Sequence, residues 1–186
     1  MEARAVLEKI EGEGRAGGPL AAQAAVPTNL RDSDKWWLVE TACYEGHVHV
    51  LHALGNYLGD SIVIAHDQYL LELACYNGHL PVVEMMVDLH GWSLHWHGFA
   101  GLYQACTGGH LNIVKFLLDR GGSRINIHDG DDQAMVSSVA SGHLHVARFL
   151  AQLDPTPGAW PVDCMRTLQA WSTPRDAWMR SVVSVT

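Results

Sequence analysis

Short apolar runs with helical spacing alternate along this chain with glycine-marked breaks, and the alternation has a long period. The dipeptide Gly-His stands at Gly46-His47, Gly78-His79, Gly109-His110 and Gly142-His143, at intervals of 32, 31 and 33 residues. After each histidine the apolar positions return in step. Val48, Leu80, Leu111 and Leu144 come first, then Val50, Val82, Ile113 and Val146, then Leu54, Met86, Leu117 and Leu150. Such spacing predicts an amphipathic helix with one buried face. A second helical run precedes each Gly-His: WLVETACYE, YLLELACYN, AGLYQACTG and QAMVSSVAS. Its fixed small position reads Ala42, Ala74, Ala105 and Ser138, which lets helices of adjacent units approach closely.

Thirteen residues after the first three Gly-His glycines stand Gly59, Gly91 and Gly122, where each second helix should end on a left-handed residue. A lone apolar residue follows in an expected extended loop: Ile62, Leu94 and Ile125. The unit is therefore helix, tight turn, helix, glycine stop, extended loop. One such helix pair cannot bury its apolar face alone, so copies must stack. The predicted fold is all-α, an α-solenoid of helix-turn-helix repeats joined by extended loops, with four units over residues 32–154.

Continuing the period brings Pro174 to the place of the turn glycine, and LQAWSTPRDAWMRSVV aligns with YQACTGGHLNIVKFLL. In that register Ala170 falls on the small position, and Thr173, Pro174 and Asp176 read as a helix start. Residues 155–186 are expected to be a degenerate fifth unit that caps the array. At the other end, VLEKI reads as one helix of a degenerate starting unit. Residues 11–27, rich in Gly, Ala and Pro, read as a flexible linker, so 1–31 is expected to be an N-terminal arm.

The repeat resembles the ankyrin repeat, through Gly-His in four phased copies, through GHLPVVEMM and HLNIVKFLLDRGG, and through Gly122-Ser123-Arg124-Ile125-Asn126. The resemblance covers residues 32–154. It departs where that family has T-P-L-H at the start of the first helix. Here stand Trp37-Leu38-Val39-Glu40, Tyr69-Leu70-Leu71-Glu72, Ala100-Gly101-Leu102-Tyr103 and Gln133-Ala134-Met135-Val136. Without that Thr and His, apolar packing is expected to supply more of the stability between repeats. The resemblance also implies a non-catalytic protein-interaction module that binds its partner on a concave face of loop tips and first-helix ends. Carried over, those positions are Trp36, Tyr44 and Glu45; His66, Gln68, Tyr76 and Asn77; Trp96, His97, Phe99 and Thr107; and Asp129 and Asp132. Aromatic side chains of this kind are enriched at interface hot spots.

Charge narrows the partner. The chain has a formal net charge of −8, which argues against binding nucleic acid through phosphate contacts. Residues 32–154 hold five Lys and Arg against fourteen Asp and Glu, so a neutral or basic protein segment is the expected partner. No apolar run approaches the roughly 18 residues of a membrane span. MEARAVLEKIEGEG carries both charge signs where a secretory signal needs an apolar stretch. The expected setting is cytoplasmic or nuclear, as a monomer.

Cys43, Cys75 and Cys106 each follow the small position, so they occupy one place in three stacked units. Packed helices about 8–10 Å apart exceed the roughly 7 Å reach of a disulfide, which predicts reduced, buried thiols. Cys164 has no periodic partner. The twelve histidines include His49 with His52, and His95 with His97 on one face of an extended segment, but no carboxylate or thiolate stands at a companion spacing. A His-rich metal-binding protein is thus a lesser alternative, and a short divergent repeat fragment without binding function of its own is another. No G-x-S-x-G, P-loop or H-E-x-x-H is present. Asp129-Gly130-Asp131-Asp132 lacks the distal Glu of a calcium loop and is expected to be a solvated hairpin tip. Neither catalysis nor a cofactor is expected.

Overall fold

A computed structural model describes residues 3–55, 67–90 and 94–171. Their regular elements are helical throughout: α1 (Ala3–Gly17), α2 (Pro19–Ala24), α3 (Asp32–Glu45), α4 (48–55), α5 (Asp67–Asn77), α6 (Leu80–His90), α7 (Leu94–Gly108), α8 (Leu111–Gly121), a 3-10 turn (Gly122–Arg124), α9 (Asp129–Ala140), α10 (Leu144–Leu153) and α11 (Val162–Ala170). The all-α class and the helix-turn-helix repeat are as the periodicity predicts. The chain forms two compact units, Met1–Trp92 and Ser93–Thr186. In the first, α1 packs on α2 and α3, α3 on α5, and α5 on α6. In the second, α7 packs on α8 and α9, α10 on α8 and α9, and α11 on α9 and α10.

Burial follows the repeat. Leu38, Val39, Ala42 and Cys43 are buried on α3, Leu70, Leu71, Ala74 and Cys75 on α5, Leu102, Ala105 and Cys106 on α7, and Ala134, Met135 and Ser138 on α9. Each first helix ends the same way. The N–H of His47 donates to Ala42 O (2.9 Å), that of His79 to Ala74 O (3.0 Å), that of His110 to Ala105 O (2.9 Å) and that of His143 to Ser138 O (2.8 Å). This six-residue closure with a positive-φ glycine before the donor is the Schellman stop. Gly46, Gly78, Gly109 and Gly142 have φ between 79° and 85°. The carbonyl of the same histidine then opens the second helix, accepting from Val50, Val82, Ile113 and Val146.

The turn glycines have a further duty. A Cβ on Gly46 would lie 2.4 Å from His79 Nδ1, and one on Gly109 would lie 2.4 Å from His143 Nδ1. The histidine of one repeat thus packs flat against the turn glycine of the repeat before it. His79 Nε2 bonds the Tyr44 carbonyl at 2.7 Å, and His145 Nε2 bonds the Gly109 carbonyl at 2.9 Å. Carbonyls at a helix C-terminus lack intrahelical partners, so these rings satisfy groups the helix leaves open. Apolar packing is thus joined by polar contacts between repeats, made by the turn histidine His79 and by His145 on α10.

The N-terminal segment differs from the expected flexible linker. α1 continues through Glu11–Gly17, and α2 follows after Gly18 with Pro19 in its first turn. Val6, Leu7 and Ile10 are buried. Glu11, with a side chain only 8% exposed, bonds Arg15 Nε at 3.0 Å and stands 3.8 Å from His47 Nδ1. A Cβ on Gly14 would meet His49 Cβ at 2.4 Å, so this glycine lets the helix close on the start of α4. A buried carboxylate requires such partners, because the desolvation of an ion costs several kcal/mol.

Four local expectations change. Leu94 starts α7, so His95 and His97 stand in a helix and not in an extended segment. Residues 129–132 form no hairpin: they lead into α9 with Gly130, Asp131 and Asp132 all left-handed, at φ 61°, 57° and 60°. In α11 the buried residues are Cys164, Met165 and Leu168, matching Ala134, Met135 and Ser138 at a spacing of thirty. Ala170 is exposed, so Leu168 and not Ala170 occupies the small position's place. Gly122 has positive φ (52°) but ψ −131°, outside the left-handed helical well, while Ile125 is extended as expected and is also buried. Gly59, Ile62, Gly91 and residues 172–186 lie outside the described residues.

Candidate functional site

The surface candidates sort into those presented outward and those used inside the fold. On α3, Trp36, Glu40 and Tyr44 follow one another at four-residue steps and so share a stripe. On α5, Gln68, Glu72 and Tyr76 repeat that stripe 32 residues later. Tyr44 is 55% exposed and Tyr76 49%. The stripes are joined by Tyr69, whose Oη donates to Glu40 Oε1 at 2.7 Å. That bond, more than burial, raises the Tyr69 phenol above its ordinary pKa and keeps it a donor. Gln68 Nε2 donates to Glu72 Oε1 at 2.8 Å. Trp36 is half-buried at the head of its stripe. Glu40 and Tyr69 were absent from the positions carried over by resemblance. The 32-residue match of Trp36-Glu40-Tyr44 with Gln68-Glu72-Tyr76 is the signal that would have found Glu40.

Several of the expected residues are engaged elsewhere. Glu45 accepts from Arg4 Nη1 (2.6 Å) and pairs with His47 Nε2 (2.9 Å). Arg4 foremost, with His47, holds the Glu45 carboxyl below the usual range. Asn77 Nδ2 donates to Leu73 O at 2.8 Å, finishing α5.

In the second unit, Thr107 donates to Tyr103 O at 2.9 Å, an ordinary intrahelical bond. Phe99 is half-buried beneath Gly130, where an added Cβ would stand 3.0 Å from its ring. Asp129 accepts from Asn126 at 2.8 Å. Asp132 Oδ1 is 2.6 Å from His128 Nδ1, while Asp154 Oδ2 is 3.3 Å from His128 Nε2. The His128 ring packs against Trp160 with centroids 4.2 Å apart and planes tilted by 34°, and the indole N–H donates to Asp154 O at 2.7 Å. This cluster fastens the loop before α11. The Asp154 carboxyl is held low, chiefly by its bonds from Thr156 and then by His128. His66 and the side chains of Trp96 and His97 lie outside the described residues.

The four cysteines are free and buried. Burial pushes the Cys43 and Cys106 thiols up to about 12, and moves Cys75 and Cys164 in the same direction. A thiol kept protonated in an apolar core is a poor nucleophile and metal ligand. Among the described residues no group of three or more His, Cys, Asp or Glu side chains is arranged to hold a metal ion, and no helix is long and apolar enough to cross a membrane. What the geometry offers is an aromatic and acidic surface on two registered helices.

A family model described as ankyrin repeats (3 copies) matches residues 39–129 and 71–159. No curated protein matches the chain. The matched span covers the Gly-His stops, the small positions and the histidine contacts between repeats, and the chain belongs to the ankyrin-repeat family.

Proposed function

We propose that this chain is a non-catalytic protein-binding module whose N-terminal unit presents the α3/α5 face to its partner. Ankyrin repeats are in general protein–protein interaction modules and typically non-enzymatic, which supports the class of function. The single observation that carries the surface is the pair Tyr44 and Tyr76, each about half exposed at equivalent positions of neighbouring helices. Large aromatic groups left in water on a rigid scaffold are the usual anchors of interfaces. The excess of fourteen acidic over five basic residues in 32–154 favours a neutral or basic protein segment. In this reading residues 32–154 form the array and 155–186 close its last repeat. The module acts as a monomer in the cytoplasm or nucleus.

The test is quantitative affinity capture from cell extract, with the wild-type chain beside a Tyr44/Tyr76→Ala variant and a Leu153→Ala control. The proposal expects one set of proteins retained by wild type and control but lost from the double variant, whose helical circular dichroism is unchanged. Equal capture by all three would refute the assignment of this face.

A further inference from the structure

The docking of α1 rests on charge where the later repeats bury a thiol. Val6, Leu7, Ile10 and Glu11 stand 32 residues before Leu38, Val39, Ala42 and Cys43, and all of them are buried. α1 is therefore in register with the first helices of the repeats, and Glu11 takes the place where α3, α5 and α7 carry Cys43, Cys75 and Cys106. A thiol stays neutral in such a core, whereas a carboxylate needs donors. Glu11 Oε1 has Arg15 Nε at 3.0 Å. Glu11 Oε2 is buried and has no hydrogen-bond partner among the described residues. Facing the carboxylate, 3.8 Å from Oε1, is His47 Nδ1, which is buried and likewise unpartnered among them. The other ring nitrogen, His47 Nε2, stands 2.9 Å from Glu45 Oε2. A neutral imidazole has one N–H to give. Donating it to Glu45 from Nε2, the ring turns the lone pair of Nδ1 toward Glu11. The imidazolium donates from both nitrogens and joins α1 to the end of α3.

The net charge of the cluster favours the same state. From α1, Arg4 bonds Glu8 at 3.2 Å and Glu45 at 2.6 Å, while Arg15 bonds Glu11. Two guanidiniums thus meet the carboxylates of Glu8, Glu11 and Glu45, and one proton on His47 closes the balance. His49, at the start of α4, packs against Gly14 through its Cβ and also keeps a buried Nδ1 without a partner among the described residues. His79 gives its ring to the Tyr44 carbonyl. We infer that His47 is a proton-operated clasp, whose ring on taking up a proton binds Glu11 and Glu45 at once and tightens α1 on α3.

Histidine is the side chain that changes charge between about pH 5 and 8. The docked state holds a proton that the undocked helix releases, so docking strengthens as pH falls from about 8 to about 6. The Glu45 carboxyl, held low by Arg4 foremost and by His47, stays ionised in that window. Stronger acid opens the clasp only when the carboxylates themselves are protonated, below about pH 4. The clasp works whether or not the α3/α5 face binds a partner.

The experiment reads two NMR observables on the full chain at about pH 6 and about pH 8. They are the nitrogen shifts of the His47 ring and amide exchange in α1, corrected for the intrinsic pH dependence of exchange. The ring should carry protons on both nitrogens at the lower pH and on Nε2 alone at the higher. Protection of the amides of Leu7, Ile10 and Glu11 should be about fivefold greater at the lower pH, with no such change in α10. Glu11→Gln, which keeps the shape of the side chain, and His47→Gln should each abolish the difference, and His49→Gln should keep it. Equal protection at the two pH values in wild type, a difference that survives Glu11→Gln, or one that disappears in His49→Gln would each overturn the inference. If Glu11→Gln leaves α1 undocked at both pH values, the wild-type ring decides alone. A His47 ring singly protonated at about pH 6 overturns the clasp, and a doubly protonated one with a hydrogen-bonded Nδ1 proton supports it.

Discussion

Replacing Gly46 by alanine should cost more than any propensity scale allows, because this glycine answers two constraints at once. Its φ of 81° is a conformation that costs an L-residue about 1–2 kcal/mol. The new methyl would also stand 2.4 Å from His79 Nδ1 and 2.8 Å from the neighbouring ring carbons. The imidazole must swing away and release its 2.7 Å bond to the Tyr44 carbonyl, a further loss of about 0.5–1.5 kcal/mol. Together the cost is about 1.5–3.5 kcal/mol, a sizeable part of a typical domain stability of about 5–15 kcal/mol. At about 2–4 °C per kcal/mol for a chain of this size, the thermal midpoint should fall by roughly 3–14 °C.

The two causes separate in a double-mutant cycle followed by urea denaturation. In a His79→Ala background the clash and the hydrogen bond are already gone, so Gly46→Ala should cost only the backbone strain, about 1–2 kcal/mol. Gly46→Asn tolerates the left-handed backbone but keeps a Cβ, so it should retain the coupling to His79 and lose part of the strain. Additivity of Gly46→Ala and His79→Ala within about 0.3 kcal/mol would refute the proposed packing of ring on glycine.

Leu168→Ala should destabilise the second unit by about 2–5 kcal/mol, since Leu168 is fully buried on α11, and urea midpoints read the loss directly. Cys43, Cys75 and Cys106 should resist a thiol reagent at pH 8 in the native chain and react fully in denaturant. Rapid native modification of any of the three would contradict their burial. The Glu45 carboxyl lies below its unfolded value, so its contribution is present above about pH 4.3 and is lost as pH falls through the folded value. Amide exchange in α1 should therefore accelerate in acid below about pH 4, and Arg4→Ala should move the onset to higher pH. An onset unmoved by Arg4→Ala would remove the Arg4–Glu45 pair from the docking of α1.

The repeat was legible in the sequence because its causes are local. Helix periodicity, a glycine free to take positive φ, and a small residue four places before it are read within a dozen positions. They led to tight turns at Gly46, Gly78, Gly109 and Gly142, which the structure forms as Schellman stops, and to the buried positions of Cys43, Cys75 and Cys106. Ile125 followed the same logic, whereas Leu94 did not, because α7 begins at Leu94 itself, where the repeat register implied an extended loop.

What only the tertiary structure decided are the pairings between residues far apart in the chain. Glu11 and Gly14 looked like parts of a flexible arm, since their partners His47 and His49 lie more than thirty residues away. Glu45 looked available for a partner, yet Arg4, 41 positions away, occupies it. His79 and His143 looked like simple turn residues, while their rings in fact reach back to the preceding repeat. A period in sequence records which side chains recur on a face. Whether a polar group on that face meets water or another side chain depends on distances of a few ångströms that stacking alone sets, and there the carboxylates and histidines of this chain were assigned their roles.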